Sequence, residues 1–478
     1  MSTSRISDPW QTAASAPGRM AVADSGESAT FAELVGLADA IGQALAAYGI
    51  ADGEMVSTSI PPSPAFFALA LAALRYGYGL FPVYHALLGS AEGAQLIRQS
   101  QSRLHISHGL SDSETSHGAN PVGDSGQTDH LLGAESITLD ALLALPPHPP
   151  AMDRAPAQCG YLAFVSSGTT GAPTLIVRAR PWYRYRGVAV FERYAAGPDF
   201  GPHVMASPTF HFGTLSPALY ALQAGSGIVI PADSSVDEIT NAIDYYSADS
   251  TFLSTGMIQS FVLSGRWARH IPRVVMHGGS SCPPAIKRKA IELMGDGLRE
   301  FYGTSEGIIS EIDAREWLRH PGSVGRPLPG VQIYISDGQR EVAPATPGRI
   351  MIRPRRVDNK PGSGRVTDTG DIGYIDDGGY LHVLGRGYDV GSITLACLEH
   401  RVRMLPAVTD VAVMPPTGAA AAPPRGLCYA EAAPDDAADI RSSILQLAAE
   451  TDLDLDVDVR PPGYFPRTAS GKISRKRH

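Results

Sequence analysis

The chain has 478 residues, of which 44% are hydrophobic and 18% charged, with a formal net charge of −9 at pH 7. That length leaves room for more than one core, and the acidic balance argues against nucleic acid or an anionic membrane surface as the main partner. Four scattered cysteines (Cys159, Cys282, Cys397, Cys428) without a CxxC pair exclude a disulfide scaffold and fit a reducing compartment. With no apolar leader and no apolar run of membrane-spanning length, a cytoplasmic protein is expected.

In chain order, Thr30 with Glu33 three positions on forms a capping box ahead of helically spaced apolar residues, and Gly49 stands where a C-cap belongs. A strand over 54–60, an Ala/Leu-rich helix over 64–76 and a short strand over 81–83 follow. This alternation predicts an α/β fold, a mostly parallel sheet with helices on both faces. Residues 109–133 read as an exposed polar loop, and 145–156 are proline-rich. Then Leu162 to Val165 reads as a buried strand that breaks into Ser166, Ser167, Gly168, Thr169, Thr170 and Gly171. Glycines let such a loop approach a ligand closely, and its N–H groups and hydroxyls suit a polyphosphate. It is not a Walker A loop, because the lysine is missing; alone, such a run is more often a plain flexible loop.

Beyond it, Phe210, His211 and Phe212 precede a helix over 215–224. A strand (227–230), a helix (237–246) and a second strand (250–254) come next. The strand from Val274 ends at the Gly278–Gly279 turn, and the helix over 284–294 carries a charge run, Lys287, Arg288 and Lys289, that reads as a solvated face. Residues 331–385 alternate like hairpins with Asp–Gly turns. A last module from Asp389 to His478 holds a helix (438–450), a strand (453–459), a low-complexity loop (418–424) and a basic tail.

Five stretches in order resemble the acyl-adenylate-forming superfamily, which includes acyl- and aryl-CoA synthetases, luciferases and non-ribosomal peptide synthetase adenylation domains. They are SSGTTGAP (166–173), FYGTSEG (301–307), GSVGRPLPG (322–330), TGDIGYIDDGGYLHVLGR (369–386) and PRTASGKISR (466–475). The resemblance implies a large α/β domain with parallel sheets and a β-rich subdomain over 1–388. It also implies a small mobile α+β lid over 389–478, turning near Asp389. The implied reaction transfers AMP from ATP, with Mg2+, to a small-molecule substrate and then passes the product to an acceptor, coenzyme A by default or a free-standing carrier protein. Such a ligase suits natural-product biosynthesis.

Charge develops on the α-phosphate and on departing pyrophosphate, so the site needs donors, a metal and a cation. By resemblance the loop Ser166 to Gly171 holds the β,γ-phosphates, Glu306 binds Mg2+, and the Ser305 hydroxyl approaches the α-phosphate. Tyr302, Gly303 and Thr304, with Gly278 and Gly279 opposite, receive adenine. Asp371 takes the ribose diol, Arg386 the ribose or phosphate, and Lys472 supplies the cation at the new anhydride. Phe210, His211, Phe212, Ser254, Thr255, Met257, His277 and Ile308 are the candidates for the substrate wall. Their mixed character suits a small aromatic compound, and His211 reads equally as pocket gate or structural residue.

The chain departs from the family pattern after Pro173, where the usual loop lysine is absent. It departs again after Asp389, where aligning Glu399 with the family's last acidic residue shortens a glycine loop that lines the pantetheine tunnel. Three alternatives follow: an amide-type ligase, a diazotase that activates nitrite and condenses it with an arylamine, or a degenerate nucleotide-binding regulator.

Overall fold

A computed structural model describes residues 8–83, 87, 90–108, 134–146, 160–165, 175–177, 199–207, 212–304, 307–353, 366–387, 390–415, 426–451 and 453–466, with backbone only at 212 and 390–392. These fall into two compact units, 1–252 and 253–478.

In the first unit, local chemistry sets the helices. Thr30 accepts from the Glu33 N–H while Glu33 Oε2 accepts from the Thr30 N–H at 2.8 Å, which starts Phe31–Tyr48, and Gly49 at φ +94° ends it. Ser63 caps Pro64–Tyr76, whose proline falls where no N–H is needed, and Phe66 through Leu74 are all buried. A helix apolar on every side belongs in the interior. One sheet runs in the spatial order Glu135–Thr138, Ser102–Ser107, Met55–Thr58, Gly79–Pro82, Tyr161–Val165, Leu175–Val177. Its neighbours are parallel except for the last pair. In another sheet the start of Ser250–Ser254, then His203–Val204, Ile228–Val229 and Met20–Ala23 run parallel, with Ser28–Thr30 antiparallel at the edge. Parallel strands are covered on both faces, so Met55–Thr58 and Gly79–Pro82 are buried throughout.

In the second unit, Val274–Gly278 pairs parallel with Leu298–Thr304, which pairs antiparallel with Gly307–Asp313. Gln332–Ser336, Gly348–Arg353, Thr367–Ile375 and Leu381–Arg386 form an antiparallel sheet in chain order. Gly338 at φ +102° and Gly379 at φ +80° make the expected Asp–Gly turns. A three-stranded sheet (Asp410–Met414, Gly426–Glu431, Leu455–Arg460) closes on the helices Val390–Arg403 and Ala437–Ala449 through Leu398, Val402, Val413, Ile444 and Val457. This is the expected fold class: α/β with parallel sheets, a β-rich part, and a small α+β module.

Two sequence expectations are corrected. Lys287 is not on a solvated face; it is 1% exposed, because Ile286, Lys287, Ala290, Ile291 and Met294 make the buried stripe of Pro284–Met294. The residues after Asp389 are not a loop, since a helix begins at Val390. The loop 109–133, the segment 147–156, the loop 166–171, the stretch 418–424 and the basic tail beyond Pro466 lie outside the described residues. Among the described residues no helix is long and apolar enough to cross a membrane. Cys282 and Cys428 are buried thiols that burial pushes up in pKa, and Cys397 sits half-buried on Val390–Arg403.

Buried histidines give an acid-sensitive fold. Burial lowers His105 to about 4 and His203 to about 3; burial, then Arg403 and His382, lowers His400 to about 4. Each stays neutral when folded but takes a proton below its ordinary 6.5 when unfolded. Their contribution is therefore complete above that value and is lost as pH falls through the folded pKa values. By pH 5 the loss is on the order of 2 kcal/mol per histidine. Urea denaturation is expected to give a clearly lower midpoint at pH 5 than at pH 7; equal midpoints would contradict this.

Candidate functional site

The Val274–Gly278 strand delivers its last residue against the neighbouring strand. A Cβ on Gly278 would stand 2.6 Å from the Phe301 carbonyl oxygen, so only glycine fits there. Gly279 has φ +87° and open space where a side chain would be, which leaves bare backbone at the turn. The strand Leu298–Thr304 passes alongside, with Gly278 opposite Phe301, and its register shifts between Tyr302 and Gly303. A Cβ on Gly303 would meet the Gly307 carbonyl at 2.6 Å, so glycine permits the narrow close of this hairpin. Thr304 pairs with Gly307 at its end.

Tyr302 is 9% exposed, and its hydroxyl donates to Asp371 Oδ2 at 2.7 Å across 69 residues of sequence. Burial first, then the Asp371 charge, pushes the phenol above its ordinary pKa, so it remains a donor. Asp371 is held in place from its own strand: its N–H donates to Thr369 Oγ1 at 3.1 Å, and the Thr369 hydroxyl donates to the Ile350 carbonyl at 2.9 Å. Directly across the ladder, Arg386 Nε donates to Asp371 Oδ1 at 3.0 Å. The guanidinium is 64% exposed while the carboxylate is 10% exposed, so a buried anchor aims a solvent-facing cation. Tyr302, Asp371 and Arg386, named separately from sequence, form one connected array.

Of the wall candidates, Ser254 caps the helix Thr255–Ser264 by accepting from the Met257 N–H at 3.3 Å. Thr255 donates to the Ser280 carbonyl at 2.9 Å, which ties that helix to the residue after the Gly–Gly turn. Ile308 packs with Tyr302 on the β-rich core. His277 is fully enclosed: Lys287 Nζ donates to its Nε2 and to Glu300 Oε2 at 3.2 Å, while Nδ1 has no partner among the described residues. Burial, then Lys287, keeps this imidazole neutral. Ser166 to Gly171, Phe210, His211, Ser305, Glu306, Asp389 and Lys472 lie outside the described residues, as does the side chain of Phe212. Among the described residues no group of three or more His, Cys, Asp or Glu is arranged to hold a metal.

Sequence reasoning missed the Lys287–Glu300 pair and the role of Thr369. The helical stripe 286, 287, 290, 291, 294 was the available signal for the former; nothing local signals the latter.

A family model described as AMP-binding enzyme matches residues 9–357. A salicyl-AMP ligase / salicyl-S-ArCP synthetase of Mycobacterium tuberculosis is 26% identical over 443 residues, covering 83% of this chain and 76% of that protein. An indoleacetate–CoA ligase of Aromatoleum aromaticum is 24% identical, covering 83% and 82%. Among solved structures, the o-succinylbenzoate coenzyme A synthetase of Bacillus subtilis with ATP and magnesium superposes with a TM-score of 0.76 over 98% of each chain at 20% identity, a likeness of fold.

Proposed function

The chain belongs to the AMP-binding enzyme family and is an ATP-dependent, AMP-forming ligase, and on that premise we propose that it activates a small aromatic carboxylate as its adenylate and passes it on, by default to coenzyme A. The observation that carries this reading is the Tyr302–Asp371–Arg386 array beside the open Gly279 turn. An ionised carboxylate has about four lone-pair directions; after serving Tyr302 and Arg386, Asp371 retains acceptors for two ribose hydroxyls. Gly279 offers flat backbone to the base. A substrate carboxylate oxygen bonds to the α-phosphorus as the bond to the bridging oxygen breaks, and pyrophosphate leaves with the electron pair. Arg386, and Lys472 from the tail, would offset the charge that builds there. Magnesium accompanying ATP would neutralise polyphosphate charge, with Glu306 as its proposed ligand.

The relatives named for salicylate and indoleacetate support an aromatic acid, and the former supports a carrier protein as acceptor. The proposed domains are 1–388 and a lid over 389–478 that turns at Asp389, in a cytoplasmic enzyme with no nucleic-acid or membrane partner. The helix that begins at Val390, where the sequence shortens the family's glycine loop, favours a second reading: a non-thiol acceptor, in an amide-type ligase or a nitrite-and-arylamine diazotase. The nucleotide-binding regulator is less favoured, because a pure binder has no use for a tail lysine, Lys472, aimed at the new anhydride.

The test is product analysis with MgATP and a panel of aryl acids, fatty acids, and nitrite with arylamines, each with and without coenzyme A. Release of AMP and pyrophosphate with an aryl acid is expected, and its dependence on coenzyme A separates the two acceptor readings. Release of ADP, or preference for fatty acids, would overturn the proposal.

A further inference from the structure

Glu431 ends the middle strand of the C-terminal sheet and is wholly buried. A carboxylate removed from water is tolerated only when its oxygens are well supplied with donors, and these come from two distant places. Gln259 Nε2 donates to Glu431 Oε2 at 3.3 Å, and also to the Thr409 carbonyl at 3.3 Å. The Gly463 N–H donates to the same Oε2 at 2.9 Å, and the Phe465 N–H to Oε1 at 3.3 Å.

Each end of this link leads to the proposed site. Gln259, 5% exposed, lies one helical turn after Thr255, whose hydroxyl holds the Ser280 carbonyl beside the Gly278–Gly279 turn. Gly463 to Phe465 make the turn that precedes the tail with Lys472. Gly463 takes φ +81°, the Tyr464 N–H donates to the Pro461 carbonyl at 3.2 Å, and the Phe465 ring stacks on Tyr429 at 4.5 Å. The turn is thus fixed by a ring on one side and a carboxylate on the other.

We propose that Glu431 is a positioning residue for adenylation: through Gln259 it seats the turn from which the lysine-bearing tail departs against the helix that abuts the Gly–Gly turn. The assignment rests on the reading of Lys472 as the adenylation cation. Glu431 touches no reacting atom. Its effect is on the fraction of molecules whose tail starts from the right place, so it changes turnover rather than affinity for ATP.

Pyrophosphate release is measured on the full chain with MgATP and whichever aryl acid of the panel turns over fastest. Transfer to the acceptor is measured separately from preformed adenylate, and amide hydrogen exchange is followed over 463–466. The variants are Glu431→Gln, Gln259→Met, the two combined, and Lys472→Ala. Glu431→Gln and Gln259→Met are each expected to lower kcat for pyrophosphate release at least tenfold, with KM for ATP within twofold. The double variant should be scarcely worse than either single one, exchange at Gly463 and Phe465 should rise, and acceptor transfer should hold within twofold. Gln259→Met preserves volume, so the proposal stays testable if Glu431→Gln folds poorly. Parallel loss of both half-reactions with a lowered Tm would make Glu431 a fold residue and overturn the proposal. Full turnover in both single variants, with Lys472→Ala inactive, would overturn the latch alone. Full turnover in Lys472→Ala would overturn the reading of the lysine and the latch with it.

Discussion

Replacing Asp371 by alanine is expected to lower kcat/KM for ATP by about 10²- to 10³-fold, the equivalent of one or two lost hydrogen bonds to a charged group. Two effects add. The acceptors proposed for the ribose diol vanish, and the Tyr302 hydroxyl and Arg386 Nε lose the partner that now holds them at 2.7 and 3.0 Å. The loss should appear mainly in KM, because ground state and transition state both hold the ribose. A cycle with 2′-deoxy-ATP and 3′-deoxy-ATP isolates the first effect. The wild type should discriminate against both analogues, and Asp371→Ala should discriminate little. Equal discrimination by the two proteins would take the ribose away from Asp371.

Replacing Lys287 by methionine should destabilise the fold by about 3–5 kcal/mol at neutral pH, because it strands Glu300 as a buried charge. Glu300 is 4% exposed; burial raises its carboxyl pKa and Lys287 pulls it back. Without the lysine that restraint is gone. A carboxyl whose folded pKa exceeds its unfolded value is harmless below the unfolded value and costs stability as pH rises through the folded one. The penalty in Lys287→Met should therefore shrink on acidification from neutral pH towards the ordinary carboxylate range, opposite to the histidine trend of the parent. Pairing it with Glu300→Leu should restore most of the stability, since an apolar pair of similar volume often matches a buried ion pair. Chemical denaturation of the single and double variants at two pH values measures this; an equally unstable double variant would refute it.

What the sequence made legible follows the range of the interactions. Pro64–Tyr76 and the Thr30–Glu33 capping box were readable to the residue, because Ser63, Pro64, Gly77, Thr30, Glu33 and Gly49 act within one turn. Strand ends were less so: 54–60 contracts to Met55–Thr58, since a strand ends where its neighbours stop pairing. Lys287 was misread because a run of charges is a statement about sequence neighbours, while burial follows the helix face. The Val390–Arg403 helix escaped notice because Gly391, Ser392, Ile393 and Thr394 are weak helix formers; Leu398 and Val402, docked in the C-terminal core, override them. At the site, motifs marked Tyr302, Asp371 and Arg386 one by one, yet only the folded chain joins the first two. Gln259 and Glu431, 172 residues apart, carry no local mark at all.

The docking of Val390–Arg403 has a practical consequence. Ala396 packs with Ile372 and Leu384 of the antiparallel sheet, and Cys397 lies beside that contact with its thiol raised in pKa by burial. Cys282 and Cys428 are shielded in the interior. With Cys159 replaced by serine, any rise in the alkylation rate of the half-buried Cys397 by a maleimide reports this helix lifting from the sheet. Following that rate through the catalytic cycle would time the proposed lid from a label the chain already carries.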